Sequence, residues 1–267
     1  MKSITSPQNP RFKAALLLAR NRGRKRSSRF LIHGAREISR GLDAGIEIEE
    51  CFCCPAACDE RDHQLQLRLA ENGIPVWAVS SEMLQRLRYG DANSGLVVVA
   101  RAVAQRLPDL RLSACPLIVV CDHLEKPGNL GAIVRSADAV GADAVLLADP
   151  LVDCYHPNVI RASTGCVFTL PLVQASGEAI RDWLASHQIQ VGAAHPQGTR
   201  LYSELDFRRP CALVFGNEAR GLSPIWRDGN LIEFRLPMQG VADSLNVSVT
   251  AAVVLFEVQR QRASNLV

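Results

Sequence analysis

An arginine, Arg135, sits in the middle of KPGNLGAIVRSADAVGADAVLL (residues 126 to 147), which follows the apolar run PLIVVCD and reads as strand, turn and helix. Such a turn can cradle a cofactor phosphate, because the first N–H groups of a helix are unpaired and point outward. The dinucleotide version needs G-x-G-x-x-G. Here Gly128 and Gly131 are three apart, which speaks against a pyrophosphate site. Arg135 instead lies among Ala132, Ile133, Val134 and Ala137 as a lone cation. A guanidinium stays charged and donates in a planar fork, so its chemistry is anion binding or the orientation of an oxygen. A second polar set opens DSLNVSVTAAVVLFEVQRQR near the C-terminus. Val247, Val249, Thr250, Val253 and Val254 favour strand there, but the run to Arg262 is too long for one strand. A helix is expected, with Ser244 or Asn246 as N-cap and first-turn N–H groups free to meet a ligand.

Two other clusters could carry chemistry. CFCCPAAC holds Cys51, Cys53, Cys54 and Cys58, which could supply four zinc ligands only if a strand end folded back onto the next turn. IEIEECFC alternates like a strand, so small core thiols are the expectation, without metal. The run RNRGRKRSSR (20 to 29) has six basic residues in ten, interrupted by Gly and Ser. It reads as a flexible loop laid on phosphates through Arg22, Arg24, Lys25 and Arg26, or as a solvated charged loop. Residues 1 to 40 hold eleven Lys or Arg against Glu37, a local charge of +10, so the rest carries −7 of the total +3. No amphipathic apolar face accompanies the basic run, which disfavours a membrane-surface role.

These residues must be positioned by folded elements. The 267 residues suit two domains, and 48% hydrophobic with 21% charged residues excludes a largely disordered chain. Nine cysteines without a secretory signal or a membrane-length apolar run lead to the expectation of reduced thiols and a cytoplasmic location. Residues 1 to 103 alternate helix and strand: PRFKAALLLAR, RFLIHG, AREISRGLDAG, IEIEECFCC, CDERDHQLQLRLAENG, PVWAVS, SEMLQRLRYG and GLVVVARA. AQRLPDLRLSAC (104 to 115) lacks a clean period and reads as a linker. A second α/β series fills 116 to 267, with strands at PLIVVCD, DAVLLAD, FTLPLV, IQVGAAH, CALVFG and LIEFRLP, and helices through NVIRAS and EAIRDWLASHQ.

Three segments, NLGAIVR (129 to 135), LVFGNEARGL (213 to 222) and LPMQGVADSLNVSVTAA (236 to 252), together resemble the motifs of the SpoU, or TrmH, branch of the SPOUT RNA methyltransferases. ITSPQNPRFK, RFLIHGAREISRGLDAG and SGLVVVA resemble the substrate-binding domain that many members carry. The resemblance implies an α/β fold: a parallel sheet whose C-terminal segment forms a trefoil knot, plus a small N-terminal α/β domain. It implies transfer of the methyl group of S-adenosylmethionine to a ribose 2′-hydroxyl of structured RNA, ribosomal RNA first and tRNA second, by a homodimer.

The resemblance also assigns roles. Arg135 meets the RNA phosphate and orients the 2′-hydroxyl, general base being its contested role. Asn129 and Glu218 order the site, although a Glu buried beside an Arg could equally be a structural ion pair. Ser244 and Asn246 receive the ribose, and Gly216, Leu236 and Leu245 match positions of the adenosyl pocket. Val253, Val254 and Phe256 are dimer contacts as well as core. Lys126 and His33 depart from the family, which often has Asp and Glu there, and bear on substrate subgroup. A silent RNA-binding protein is disfavoured by the intact site set, and a nicotinamide enzyme by the missing G-x-G-x-x-G.

Overall fold

The computed structural model describes residues 1–90, 94–227 and 231–263. They form two compact units, Met1–Val103 with Tyr155–Thr169, and Ala104–Cys154 with Leu170–Val267.

In the first unit the elements run β1 (Lys2–Ser3), α1 (Pro10–Leu17), α2 (Asn21–Ser27), β2 (Arg29–His33), α3 (Ala35–Asp43), β3 (Ile48–Cys53), α4 (Glu60–Glu71), β4 (Val76–Ala78), α5 (Ser81–Leu87) and β5 (Leu96–Arg101). The strands form one mixed sheet ordered β1-β4-β3-β5-β2, in which β5 lies antiparallel to both β2 and β3. The apolar residues of the sheet and of α1 and α5 meet in a core that includes Phe12, Leu31, Phe52, Leu84, Leu87 and Val97. Starts of helices are fixed by side chains: Asn9 accepts from Arg11 N, Ser80 from Met83 N, and Asp59 with Asp62 closes a capping box on α4.

The basic run corrects the sequence reading. Residues 21 to 27 form α2, ended by Ser28 in the left-handed region at φ 51°. Arg24 is buried at 5% exposure, and its Nη1 donates to Leu18 O at 2.9 Å and Ala19 O at 3.2 Å. Its guanidinium therefore satisfies carbonyls left open where α1 ends, while Arg22, Lys25 and Arg26 stay exposed. Arg24 thus has a structural task in place of the RNA contact expected of it. Cys51, Cys53 and Cys54 are buried and Cys58 partly so, all as free thiols. Cys53 Sγ and Cys58 Sγ lie 3.5 Å apart, and burial pushes the Cys58 thiol up to about 12.

The second unit is built on β6 (Leu117–Asp122), α6 (Pro127–Ala139), β7 (Ala144–Ala148), β8 (Leu172–Ala175), α8 (Gly177–Ser186), β9 (Gln190–Ala194), β10 (Arg200–Leu201), β11 (Cys211–Phe215), β12 (Ile232–Arg235) and α9 (Val247–Ala263). Its seven strands, ordered β10-β12-β9-β11-β6-β7-β8, pair in parallel throughout. β6, β7 and β11 are buried at every position, which is why LIVVCD, AVLLA and CALVF read as continuous apolar runs. Ile118, Val120, Leu146, Ile180, Leu184 and Trp226 are at the heart of one core cluster.

Between β7 and β8, the helix α7 (Pro157–Ala162) and its flanks belong to the first unit, whereas the sequence reading assigned them to the second. Tyr155 and Phe168 stack on Phe30 at 4.2 and 5.9 Å, and Arg40 Nη1 donates to Thr164 O at 2.6 Å. This packing also overrides the strand expected at FTLPLV. Gly165, at φ 87°, starts a 3-10 turn over Cys166–Phe168, and β8 begins only at Leu172.

The two readings of the basic run separate by stability. Arg24→Ala strands the buried Leu18 carbonyl and the part-buried Ala19 carbonyl, and is expected to lower the unfolding free energy by roughly 1–3 kcal/mol. Lys25→Ala is expected to stay within about 0.5 kcal/mol. Urea melts of the two variants check this, and equal small effects would contradict it.

Candidate active site at the carboxyl edge of the sheet

A parallel sheet puts the carboxyl ends of all its strands on one edge, and the loops that leave there gather whatever polar residues they carry. Loops after β6, β9, β11 and β12 line a cavity of about 550 Å³, within the range of small-molecule sites. Lys126 comes from the first, His195 and Pro196 from the second, residues 216 to 222 from the third, and Leu236, Ser244, Leu245 and Asn246 from the fourth.

The loop after β11 is fixed from within. Asn217 and Gly221 exchange backbone hydrogen bonds at 3.0 and 2.9 Å, with Gly221 at φ 68°. The Asn217 side chain accepts from Ala219 N at 2.9 Å and Arg220 N at 3.1 Å, and donates to His123 O at 2.9 Å. Buried at 4% exposure, it ties the β11 loop to the β6 loop. A Cβ on Gly216 would lie 2.7 Å from the Gly221 carbonyl carbon, so the turn closes only on glycine. Asp122, fully buried at the end of β6, accepts from Ser223 N at 2.7 Å and Ser223 Oγ at 3.1 Å, anchoring the far side of the loop. Neither Asn217 nor Asp122 was singled out from the sequence. Asn217 stands in the FGNE quartet beside Glu218, and Asp122 ends PLIVVCD, a lone acid closing an apolar strand.

Three expected residues come together through their side chains. Asn129 Nδ2, in the first turn of α6, donates to Glu218 Oε1, and Asn129 Oδ1 accepts from Asn246 Nδ2 at 3.3 Å. Asn246 is the cap of α9: its Oδ1 accepts from Ser248 N at 3.0 Å, and its carbonyl from Thr250 N at 2.9 Å. Ser244 is then free of capping and lines the cavity with Gly216, Leu236 and Leu245. Glu218 is exposed and bonded to an amide, so the buried ion pair considered for it does not form among the described residues.

Arg135 lies outside this chain of bonds. It is six residues beyond Asn129, roughly 9 Å along α6 and about a third of a turn around it. Exposed, it has no hydrogen bond or ion pair among the described residues, which leaves its five donors available to an incoming anion. Lys126 occupies the N-cap position of α6, is exposed and lines the cavity. On α9, Val254 is core, Val253 is partly buried, and Val249 and Phe256 are exposed at 47% and 51%. No helix among the described residues is long and apolar enough to cross a membrane, and none of their His, Cys, Asp and Glu side chains group in threes able to hold a metal ion.

Residues 116–256 match the model of the SpoU rRNA methylase family, and residues 9–97 match an MRM3-like substrate binding domain. The chain is 31% identical to a 23S rRNA (uridine(2479)-2′-O)-methyltransferase from Streptomyces viridochromogenes, over 98% of this chain and 93% of that protein. The crystal structure of the SpoU methyltransferase AviRb from the same organism, in complex with the cofactor AdoMet, superposes with a TM-score of 0.86 at 30% identity, covering 96% of this chain and 99% of that one. An RNA 2′-O ribose methyltransferase structure is 43% identical, with a TM-score of 0.86 and coverage of 98% and 99%. A family match over more than half of the chain, with relatives of similar length above 30% identity, places this protein in the SpoU rRNA methylase family.

Proposed function

We propose that this protein transfers the methyl group of S-adenosylmethionine to a ribose 2′-hydroxyl of ribosomal RNA. The observation that carries the reading is the polar chain Glu218–Asn129–Asn246, which joins all three motif segments at the rim of the cavity. The cavity fits the donor: Phe215, Leu236, Met238 and Leu245 offer apolar walls for an adenosyl group, and Glu218 and Asp243 offer carboxylates to its cationic part. When bound, the donor supplies an electrophilic methyl on a sulfonium. The protein must hold the hydroxyl in line with that methyl and manage its proton.

Ser244 and Asn246 would receive the ribose, and Arg135 would bind the adjacent phosphate and orient the hydroxyl. A guanidinium stays charged and is a poor base, so orientation is its part. Arg22, Lys25 and Arg26, exposed on α2, would add phosphate contacts. The trefoil threading of the C-terminal chain belongs to the same proposal. So does a homodimer closed over α9, where Val249 and Phe256 are exposed and Val253 partly buried. All nine cysteines are unpaired, as a cytoplasmic protein's would be.

A 2′-O-methyl group removes the nucleophile by which alkali cleaves the next phosphodiester. With methyl-labelled donor and separate ribosomal and transfer RNA pools, label is expected in an alkali-stable dinucleotide from the ribosomal pool. Label in mononucleotides would overturn ribose methylation, and label from the transfer pool would overturn the substrate. Arg135→Ala is expected to slow methyl transfer roughly 100-fold or more while calorimetry finds donor affinity unchanged. Loss of donor binding would instead make Arg135 part of the donor site.

A further inference from the structure

A second cavity, of about 200 Å³, lies within the first unit, and the methyl-transfer site makes no use of it. His33 and Gly34 line it at the turn from β2 to α3, Arg36 and Glu37 come from the first turn of α3, Tyr89 follows α5, and Arg161 comes from α7. The charges in it are unevenly matched. Arg36 donates to Glu37 Oε1 through Nη2 at 2.6 Å and Nε at 3.0 Å, and Glu37 is buried at 6% exposure, so that pair is neutral. The Arg161 side chain is exposed and has no hydrogen bond or ion pair among the described residues. Among the described residues the cavity therefore keeps one uncompensated cation.

The other groups are arranged for a flat, polar guest. Burial pushes the His33 imidazole down to about 4, so it is neutral. Its Nε2 lies 2.9 Å from Leu87 O, an acceptor, so Nε2 carries the proton and Nδ1 is left as a hydrogen-bond acceptor. Tyr89 is 37% exposed and is held by an edge-on contact with His156, ring centres 5.6 Å apart. Two glycines in the left-handed region shape the rim. A Cβ on Gly34 would lie 2.6 Å from Glu37 Oε2, and one on Gly90 would lie 2.8 Å from Arg161 Nη1. Side chains at those positions would push the carboxylate and the guanidinium out of place.

We propose that this cavity receives one unstacked nucleotide of the RNA substrate, with Arg161 on its phosphate, Tyr89 against its base, and His33 Nδ1 accepting from a base N–H. The volume falls below the roughly 300–1,000 Å³ of sites for drug-sized molecules, which suits a single base whose sugar and phosphate stay at the mouth. Proteins read RNA sequence chiefly through unpaired bases packed on aromatic rings and guanidinium groups, and one lone cation suffices for one phosphate. The site lies in the unit that matches a substrate-binding domain. It rests on the reading of RNA as substrate and adds where that RNA is read.

The test compares wild type, Arg161→Gln and Tyr89→Leu for equilibrium binding of ribosomal RNA, KM for that RNA, kcat at saturating RNA, and donor affinity. Each variant is expected to weaken RNA binding and raise KM about 5- to 100-fold, the range found for single base-stacking and phosphate contacts. kcat and donor affinity should stay within twofold, and Arg161→Gln alone should flatten the salt dependence of binding. RNA binding unchanged in both variants would overturn the proposal, whatever the fate of the methyl-transfer reading. A fall in kcat without a change in RNA binding would also overturn it. Wild-type protein that binds no RNA would sink the functional reading and this inference together, and is told apart by the absence of labelled product.

Discussion

The site depends on a single amide. Asn129 donates to Glu218 and accepts from Asn246, so one side chain at the start of α6 holds the loop after β11 and the cap of α9. Both contacts use the two ends of an amide in the only orientation that satisfies a carboxylate and a donor together. Asp could not donate to Glu218, and Ser could not span both partners. Asn129 lies 89 positions before Glu218 and 117 before Asn246 in the chain, and their ordering is a long-range event that the sheet prepares and this amide completes.

What prepares it is the parallel sheet. With every strand running the same way, the ends of β6, β9, β11 and β12 emerge together, and the cavity is what lies between their loops. The loops are then stiffened by their own polar side chains. Asn217 closes a turn on itself and reaches His123, and Asp122 takes both donors of Ser223. Buried polar groups satisfied in this way fix a unique geometry, because an alternative loop arrangement would leave them unpaired in the interior. Arg135 stands in contrast, exposed and unbonded among the described residues, as a group whose partner is an anion from outside would be.

Much of this was legible in the sequence. Continuous apolar runs announced β6, β7 and β11, because a strand covered on both faces has no polar side to show. The length of the final segment decided for α9 against the strand preference of its valines, and left two cap candidates from which the structure selects Asn246. The motif residues were found by resemblance, since nothing in local pattern tells Asn129 from any other polar residue in a first turn. Where reading failed, tertiary contacts decided. A run of arginines looks like solvated coil, yet burying one of them, Arg24, against the end of α1 makes that run a helix. Phe168 lies in a strand-like string, yet Phe30 and a left-handed Gly165 draw it into a 3-10 turn of the other unit. Asn217 escaped notice because its role lies in its own backbone and in His123, 94 residues away.

A double-mutant cycle measures whether Asn129 and Glu218 act as one unit. Methyl-transfer rates of Asn129→Ala, Glu218→Ala and the double variant are compared with wild type. If the pair works as a unit, the double variant loses no more than the worse single one, a coupling of roughly 1–3 kcal/mol. Losses that simply multiply would show the two residues acting independently, and would contradict the claim that this polar chain assembles the site.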